Sequence, residues 1–157
     1  MMKKFVLYGN GGHSKVVQDL IYKLGGTIQA IFDQENIYDP NAFPNAEIII
    51  CIGDNKVREE ISKKIEHRFA TLIHPSAVLA NGIEIGKGTV VLANAVLQAG
   101  TKVGKHVIIN ANTTIDHDVV IEDFVSVYPN TYIGGGANIT KNKIIEPNQV
   151  IARNTFF

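Results

Sequence analysis

From Leu79 onward the apolar positions fall every six residues: Leu79, Ile85, Val91, Leu97, Val103, Ile109, Ile115, Ile121, Val127, Ile133 and Ile139. Four positions after each of the first ten stands a small or β-branched side chain, from Ile83, Thr89 and Ala95 to Thr131 and Ala137. A helix would repeat its apolar residues every 3.6 positions and an ordinary strand every two. A period of six predicts a parallel β-helix, in which each hexad is one short strand plus a corner. The large aliphatic fills the axis of the prism and the smaller residue fits where the coil narrows. Such coils bury their core only against neighbouring coils. Ile145 and Ile151 keep the register, but Pro147 and the run Asn154-Thr155-Phe156-Phe157 are expected to form a cap.

The first 73 residues follow another pattern. Phe5 to Tyr8 is a short apolar run ending in Gly9-Asn10-Gly11-Gly12-His13, with Ser14 offered as a helix N-cap. Val16, Val17, Leu20, Ile21 and Leu24 then mark one helical face, closed by Gly25-Gly26. Strands are expected over Thr27 to Phe32, Glu47 to Ile52 and Phe69 to Ile73, with a helix carrying Val57, Ile61 and Ile65 before the last. Strands separated by helices predict a parallel sheet. The expected division is therefore residues 1–73 as a Rossmann-like α/β domain and residues 74–157 as an all-β solenoid, with His74-Pro75-Ser76 at the junction.

Composition narrows the partners. Among 157 residues, 15 Lys plus Arg balance 15 Asp plus Glu, so no global field recruits nucleic acid or an anionic membrane. No apolar stretch approaches the roughly 20 residues of a membrane span, and the opening residues pass directly into a strand; a cytoplasmic protein is expected. Cys51 is the single cysteine, set within Ile48-Ile49-Ile50-Cys51-Ile52, and reads as a buried structural thiol.

Two constellations can carry chemistry. Ligands of a parallel sheet gather at the carboxyl ends of its strands, which here are Gly9 to His13, Asp33-Gln34 and Gly53 to Asn55. The first loop lacks the full dinucleotide fingerprint, because Ser14 stands where a third glycine is required. By itself it suits either a phosphate-type site or a tight turn, and Asp33 either a ribose reader or a strand-end polar residue. The second constellation is Asp116-His117-Asp118. Ile115 and Val119 take the axis, so these three point outward, either as a solvated turn or as a general base, since a carboxylate strengthens a neighbouring imidazole as a base. His67, His74 and His106 add no closely spaced pair, so no metal site is expected.

Taken together, the G-x-G-G-H loop (Gly9 to His13), the I-G-D-N-x-x-R stretch (Ile52, Gly53, Asp54, Asn55, Arg58), the His74-Pro75-Ser76-Ala77 junction and the hexads with D-H-D resemble the sialic acid O-acetyltransferase (NeuD) family. That family includes the bacillosamine (PglD) and perosamine nucleotide-sugar N-acetyltransferases. The resemblance implies a left-handed parallel β-helix that assembles as a homotrimer, with a nucleotide-linked amino sugar on the Rossmann-like domain. It also implies acetyl-CoA as co-substrate, bound between neighbouring subunits. His117 matches the general base and Asp118 its acidic neighbour. Gly11, Gly12 and His13 match the sugar-nucleotide loop, and Asp33, Gly53 and Asn55 match strand-end positions close to the nucleotide. Ser126 stands nine residues after the base, where the family usually has a second histidine at the acetyl-CoA site. About two hexads separate His117 from Gly134-Gly135-Gly136, fewer than is usual in that family. Gly135 is then either the glycine beside the thioester, and the candidate oxyanion donor, or part of a terminal coil. The implied activity is acetyl transfer to an amino or hydroxyl group of a nucleotide-activated sugar. A non-catalytic trimeric sugar-nucleotide-binding module that has lost its acetyl-CoA cleft is the alternative.

Overall fold

The computed structural model describes residues 2–157. The α/β part comprises β1 (Lys4–Tyr8), α1 (Gly12–Lys23), β2 (Thr27–Phe32), β3 (Glu47–Ile50) and α2 (Asn55–Ser62). Its sheet is parallel with order β2-β1-β3. The chain leaves β1 toward β2 and returns on the other side toward β3, which opens a crevice at the carboxyl end of β1. Phe5, Leu7, Val17, Leu20 and Ile21 are buried, so the predicted helical face is the one that packs. Ser14 is not the N-cap. Helix α1 already starts at Gly12 with Gly11 as its cap, and Ser14 lies buried one turn in, accepting a hydrogen bond from Gln18 Nε2.

The expected strand over Phe69 to Ile73 divides. Phe69 makes one isolated parallel bridge to Ile48, whereas Leu72–Ile73 pairs with Val90–Val91 in the solenoid. The physical reason lies in the register itself: Ile73 is one hexad before Leu79, so the first coil begins there.

Every later hexad supplies a two-residue strand, and three columns of strands form the faces of a triangular prism. The first face stacks Leu72–Ile73, Val90–Val91, Ile108–Ile109, Ser126–Val127 and Ile144–Ile145. The second stacks Val78–Leu79, Val96–Leu97, Thr114–Ile115, Tyr132–Ile133 and Val150–Ile151. The third stacks Glu84–Ile85, Lys102–Val103, Val120–Ile121 and Asn138–Ile139. The axis is filled by the hexad aliphatics, buried from Val91 onward, with the buried Ala95, Val107, Val119, Val125 and Ala137 between them. Each such aliphatic contributes about 1.5–3 kcal/mol by leaving water. The end is more regular than expected: Ile144–Ile145 and Val150–Ile151 are ordinary rungs, and only Phe157 folds over the last coil, donating its N–H to the Asn138 carbonyl at 2.9 Å.

A second period of six governs the corners. From Gly82 to Asn154, every sixth residue has a φ between 55° and 79°. Glycine or asparagine occupies most of these left-handed positions, as the steric cost for other residues requires. The exceptions are His106, Asp118 and Phe124. His106 and Phe124 sit where the α/β part docks: their rings stack at 5.0 Å and Phe69 meets His106 edge-on at 4.5 Å. The α/β part covers the first face, with Leu72, Val90 and Leu92 sharing one core with Phe5, Leu7 and Val17.

Candidate active site

The strand ends form a cleft of about 500 Å³, bounded by Gly9, Asn10, Asp33 and Glu35, with Ile52, Val57 and Ile61 as an apolar wall. Asp33 Oδ1 accepts the N–H groups of Glu35 and Asn36 at 2.9 and 2.8 Å, and these bonds hold its carboxyl below the usual carboxylate range. A side chain added at Gly11, Gly12 or Gly53 would meet no atom of the chain within 4 Å, so the space above these backbones is free for a ligand. The amino end of α1 opens there, with no side-chain cap, and uncapped N–H groups favour an anion.

Beside it, in the seam between the two parts, lies a smaller cavity of about 240 Å³ lined by His13, Gly53, Ile108, Asn110, Ser126 and Tyr128 among others. His13 Nε2 is buried and has no hydrogen-bond partner. Burial, and then the nearby Arg58 cation, push its pKa down to about 4. The ring is therefore neutral near pH 7.

Asn55 and Ser126, the latter on the wall of the smaller cavity, bind each other. Both are buried in the seam. Ser126 donates to Asn55 Oδ1 at 2.6 Å, and Asn55 Nδ2 donates to the carbonyls of Asn142 and Lys143 at 3.1 and 3.0 Å. The Ser126 hydroxyl is thus tied into the seam. The reason is Arg58, whose guanidinium occupies the seam and draws both side chains to it. Helix α2 thereby buries Asn55 and Arg58, while Val57, expected on its core face, is exposed.

His117 occupies the corner between the second and third faces, with its side chain about half exposed. Its Nδ1 is 2.8 Å from Asp118 Oδ2. An ionised carboxylate only accepts, so Nδ1 carries the hydrogen and Nε2 presents a lone pair. The backbone of the corner is held from the other side: Asp116 Oδ1 accepts the His117 N–H at 2.8 Å, and Asp116 Oδ2 accepts the Tyr132 hydroxyl at 2.9 Å. These bonds, the His117 N–H foremost, keep the Asp116 carboxyl below its ordinary range. Tyr132 was not singled out by the sequence, although it stands one coil, eighteen residues, from Thr114 in the same column.

Gly135 lies one coil below the imidazole. A Cβ there would stand 2.9 Å from His117 Nε2 and 3.0 Å from Cε1, so glycine is what gives the ring its place. The Gly135 N–H adds a small contribution to the lowering of the Asp116 carboxyl. Gly135 is also not in a terminal coil, since Ile151 and Asn154 continue below it.

Two family models match the chain: the PglD N-terminal domain over residues 4–65 and the bacterial transferase hexapeptide (six repeats) over residues 82–117. The chain is thus similar to PglD-like proteins in its first part and to hexapeptide-repeat transferases in its second. A PglD-like relative is the UDP-N-acetylbacillosamine N-acetyltransferase of Bacillus subtilis (strain 168), 31% identical over 110 residues, or 57% of this chain. The match spans about half, 51%, of that protein's length. Among solved structures, the acetyltransferase domain of PglB from Neisseria gonorrhoeae FA1090 in complex with acetyl coenzyme A is 28% identical with a TM-score of 0.80, covering 98% of this chain and 86% of that one. PerB from Caulobacter crescentus in complex with CoA and GDP-perosamine is 26% identical with a TM-score of 0.83, covering 98% and 85%. Among the described residues no cluster of His, Cys, Asp or Glu could hold a metal ion, and no helix is long and apolar enough to cross a membrane.

Proposed function

We propose that this PglD-like protein transfers acetyl from acetyl-CoA to an amino or hydroxyl group of a nucleotide-linked sugar, with His117 as general base. The observation that carries the reading is the fixed imidazole: Nδ1–H is committed to Asp118, and Nε2 is open above Gly135. Nε2 takes the proton of the acceptor amine or hydroxyl as that atom attacks the thioester carbonyl. The C–S bond then breaks as the tetrahedral intermediate collapses, and CoA leaves. Asp118 stabilises the imidazolium formed in between. The nucleotide lies in the strand-end cleft, with Asp33 beside the ribose or base and the diphosphate against Gly11, Gly12 and the start of α1. Relatives solved with acetyl-CoA, or with CoA and GDP-perosamine, support the classes of co-substrate and acceptor.

The topology supports a site shared between copies. The α/β part covers the first face, and His117 stands on the corner between the other two, the vertex opposite to it. A chain therefore holds its nucleotide cleft and its base on opposite sides of the prism, and the sugar must meet a base from a second copy. The second face carries Val78, Tyr132 and Val150 exposed, an apolar row that runs past the His117 corner and suits packing of copies in a homotrimer.

Two measurements test this. His117→Ala should lower acetyl transfer by about 10²–10⁴-fold while leaving the melting temperature and the oligomer unchanged. Co-expressing that chain with an Asp33→Arg chain should restore transfer in mixed oligomers, and equal silence of mixed and separate variants would refute the shared site. The burial of Ser126 favours a second reading, a trimeric sugar-nucleotide-binding module without a coenzyme cleft. Calorimetric titration with acetyl-CoA decides between them, because the module gives no binding heat.

A further inference from the structure

Arg58 is 1% exposed, and no carboxylate touches it. Its five N–H groups are nevertheless all engaged. Nε donates to the His106 carbonyl at 2.9 Å. Nη1 donates to the carbonyls of Ile52 and Gly53 at 2.9 and 3.0 Å. Nη2 donates to Asn55 Oδ1 at 2.8 Å and is shared between Ser126 Oγ at 3.2 Å and the Phe124 carbonyl at 3.3 Å. Burial pushes its pKa down to about 10 against the opposing pull of Asp54 and Tyr128, which leaves it cationic at neutral pH. A buried cation that no carboxylate touches is expensive, and an apolar seam would hold two domains together at lower cost. What an apolar seam lacks is direction: a planar fork with five fixed donors permits one orientation.

The acceptors it joins are specific. Ile52 and Gly53 form the peptide between the two cavities: Ile52 walls the strand-end cleft and Gly53 the seam cavity with His13. His106 and Phe124 are left-handed corner residues of two successive coils. One side chain thus ties the floor of the nucleotide cleft to two rungs of the solenoid.

We infer that Arg58 is a positioning residue for acetyl transfer, one that fixes the tilt of the nucleotide-bearing α/β part on its solenoid and hence the point at which the sugar reaches a neighbouring His117. This rests on the proposed transferase reading. The hydroxyl of Ser126 belongs to the same device, which explains why a serine stands there.

The test compares full-length Arg58→Lys, Ser126→Ala and, as a control for lost stability, Ile139→Ala in the solenoid axis. Hydrogen exchange is read first and needs no substrate. Arg58→Lys should speed exchange in residues 51–58 at least tenfold and leave strands 114–115 and 132–133 unchanged. Steady-state kinetics is read second. Arg58→Lys should raise the KM for the nucleotide-sugar acceptor and lower kcat, each about tenfold, with the KM for acetyl-CoA unchanged; Ser126→Ala should move the same parameters two- to threefold. The control should lower the melting temperature and leave all KM values alone. Unaltered exchange in residues 51–58 overturns the inference whatever the activity. So does an acceptor KM that stays at the wild-type value while the exchange rises, because Arg58 would then be cement only. A wild-type protein that transfers nothing to any nucleotide-linked sugar instead refutes the transferase reading, and with it the positioning role, while the exchange result still reports whether the clamp exists.

Discussion

Substituting Gly135 by alanine isolates geometry from stability. Gly135 does not lie in the left-handed region, so alanine adds no backbone strain there. The new methyl, however, would stand 2.9 Å from His117 Nε2, 3.0 Å from Cε1 and 3.3 Å from Cδ2. Ordinary carbon contacts lie at about 3.5 Å, so the ring must withdraw by about 0.6 Å. It can do so only by lengthening or bending its 2.8 Å bond to Asp118, since the corner backbone is pinned through Asp116 and Tyr132. A misplacement of 1 Å at a reacting centre costs about a hundredfold, which puts the expected loss in kcat at about ten- to a hundredfold. Because the ring is half exposed and can move outward, unfolding should change by less than about 0.5 kcal/mol, or about 1–2 °C in Tm for a chain of this size. The assay follows free CoA thiol released with saturating acetyl donor, beside a thermal melt. Wild-type turnover in Gly135→Ala with an unchanged melt would refute the claim that ring placement over Gly135 controls the base. A collapsed melt would refute the claim that the site is separable from the core.

The other predictions concern stability. Ile133→Ala empties a fully buried position in the axis and should cost about 2–5 kcal/mol, measured by urea unfolding; a cost below 1 kcal/mol would mean the coils collapse into the gap. His13 is neutral in the folded state down to about pH 4, whereas in the unfolded chain it takes a proton near its ordinary value of 6.5. Acid therefore favours unfolding across that window, with stability intact above pH 6.5 and about 3 kcal/mol lower by pH 4 from this group. Unfolding of His13→Gln over pH 4–7 should be flatter by that amount, and parallel curves would remove the buried neutral histidine.

The solenoid was legible because its core repeats: one large aliphatic every six residues admits few other folds. The corner column Gly82, Gly88, Asn94, Gly100 carried a second signal that a search for apolar periodicity passes over, since it is written in backbone conformation rather than hydrophobicity. His117 and Asp118 were recognisable as a pair because adjacent residues at a corner cannot be far apart. The seam was not. Helix α2 reads as amphipathic through Val57 and Ile61, yet it buries Asn55 and Arg58, because its partner is a surface of carbonyls rather than an apolar face. Which side chains meet across that surface depends on contacts such as Asn55 with Asn142 and Arg58 with Phe124, separated by dozens of residues. No local pattern encodes such pairs. The same applies to Ser126, which only the position of Arg58 turns inward.

The stacked rungs Leu72, Val90, Ile108, Ser126 and Ile144 stand eighteen residues apart on one face, and that interval sets what insertions the molecule can absorb. Adding one hexad before Asp116 would leave every aliphatic on the axis and every corner with its turn, so the prism itself would survive the change, although Phe124, Ser126 and Asn142 would leave their partners Arg58 and Asn55. It would nevertheless rotate the remainder of the prism by a third of a turn and carry His117 to a different vertex. Only three hexads together restore His117 to its side. Packing along the axis thus counts in sixes while the placing of His117 and of the seam counts in eighteens, and two of every three hexad insertions that keep the prism would misplace both.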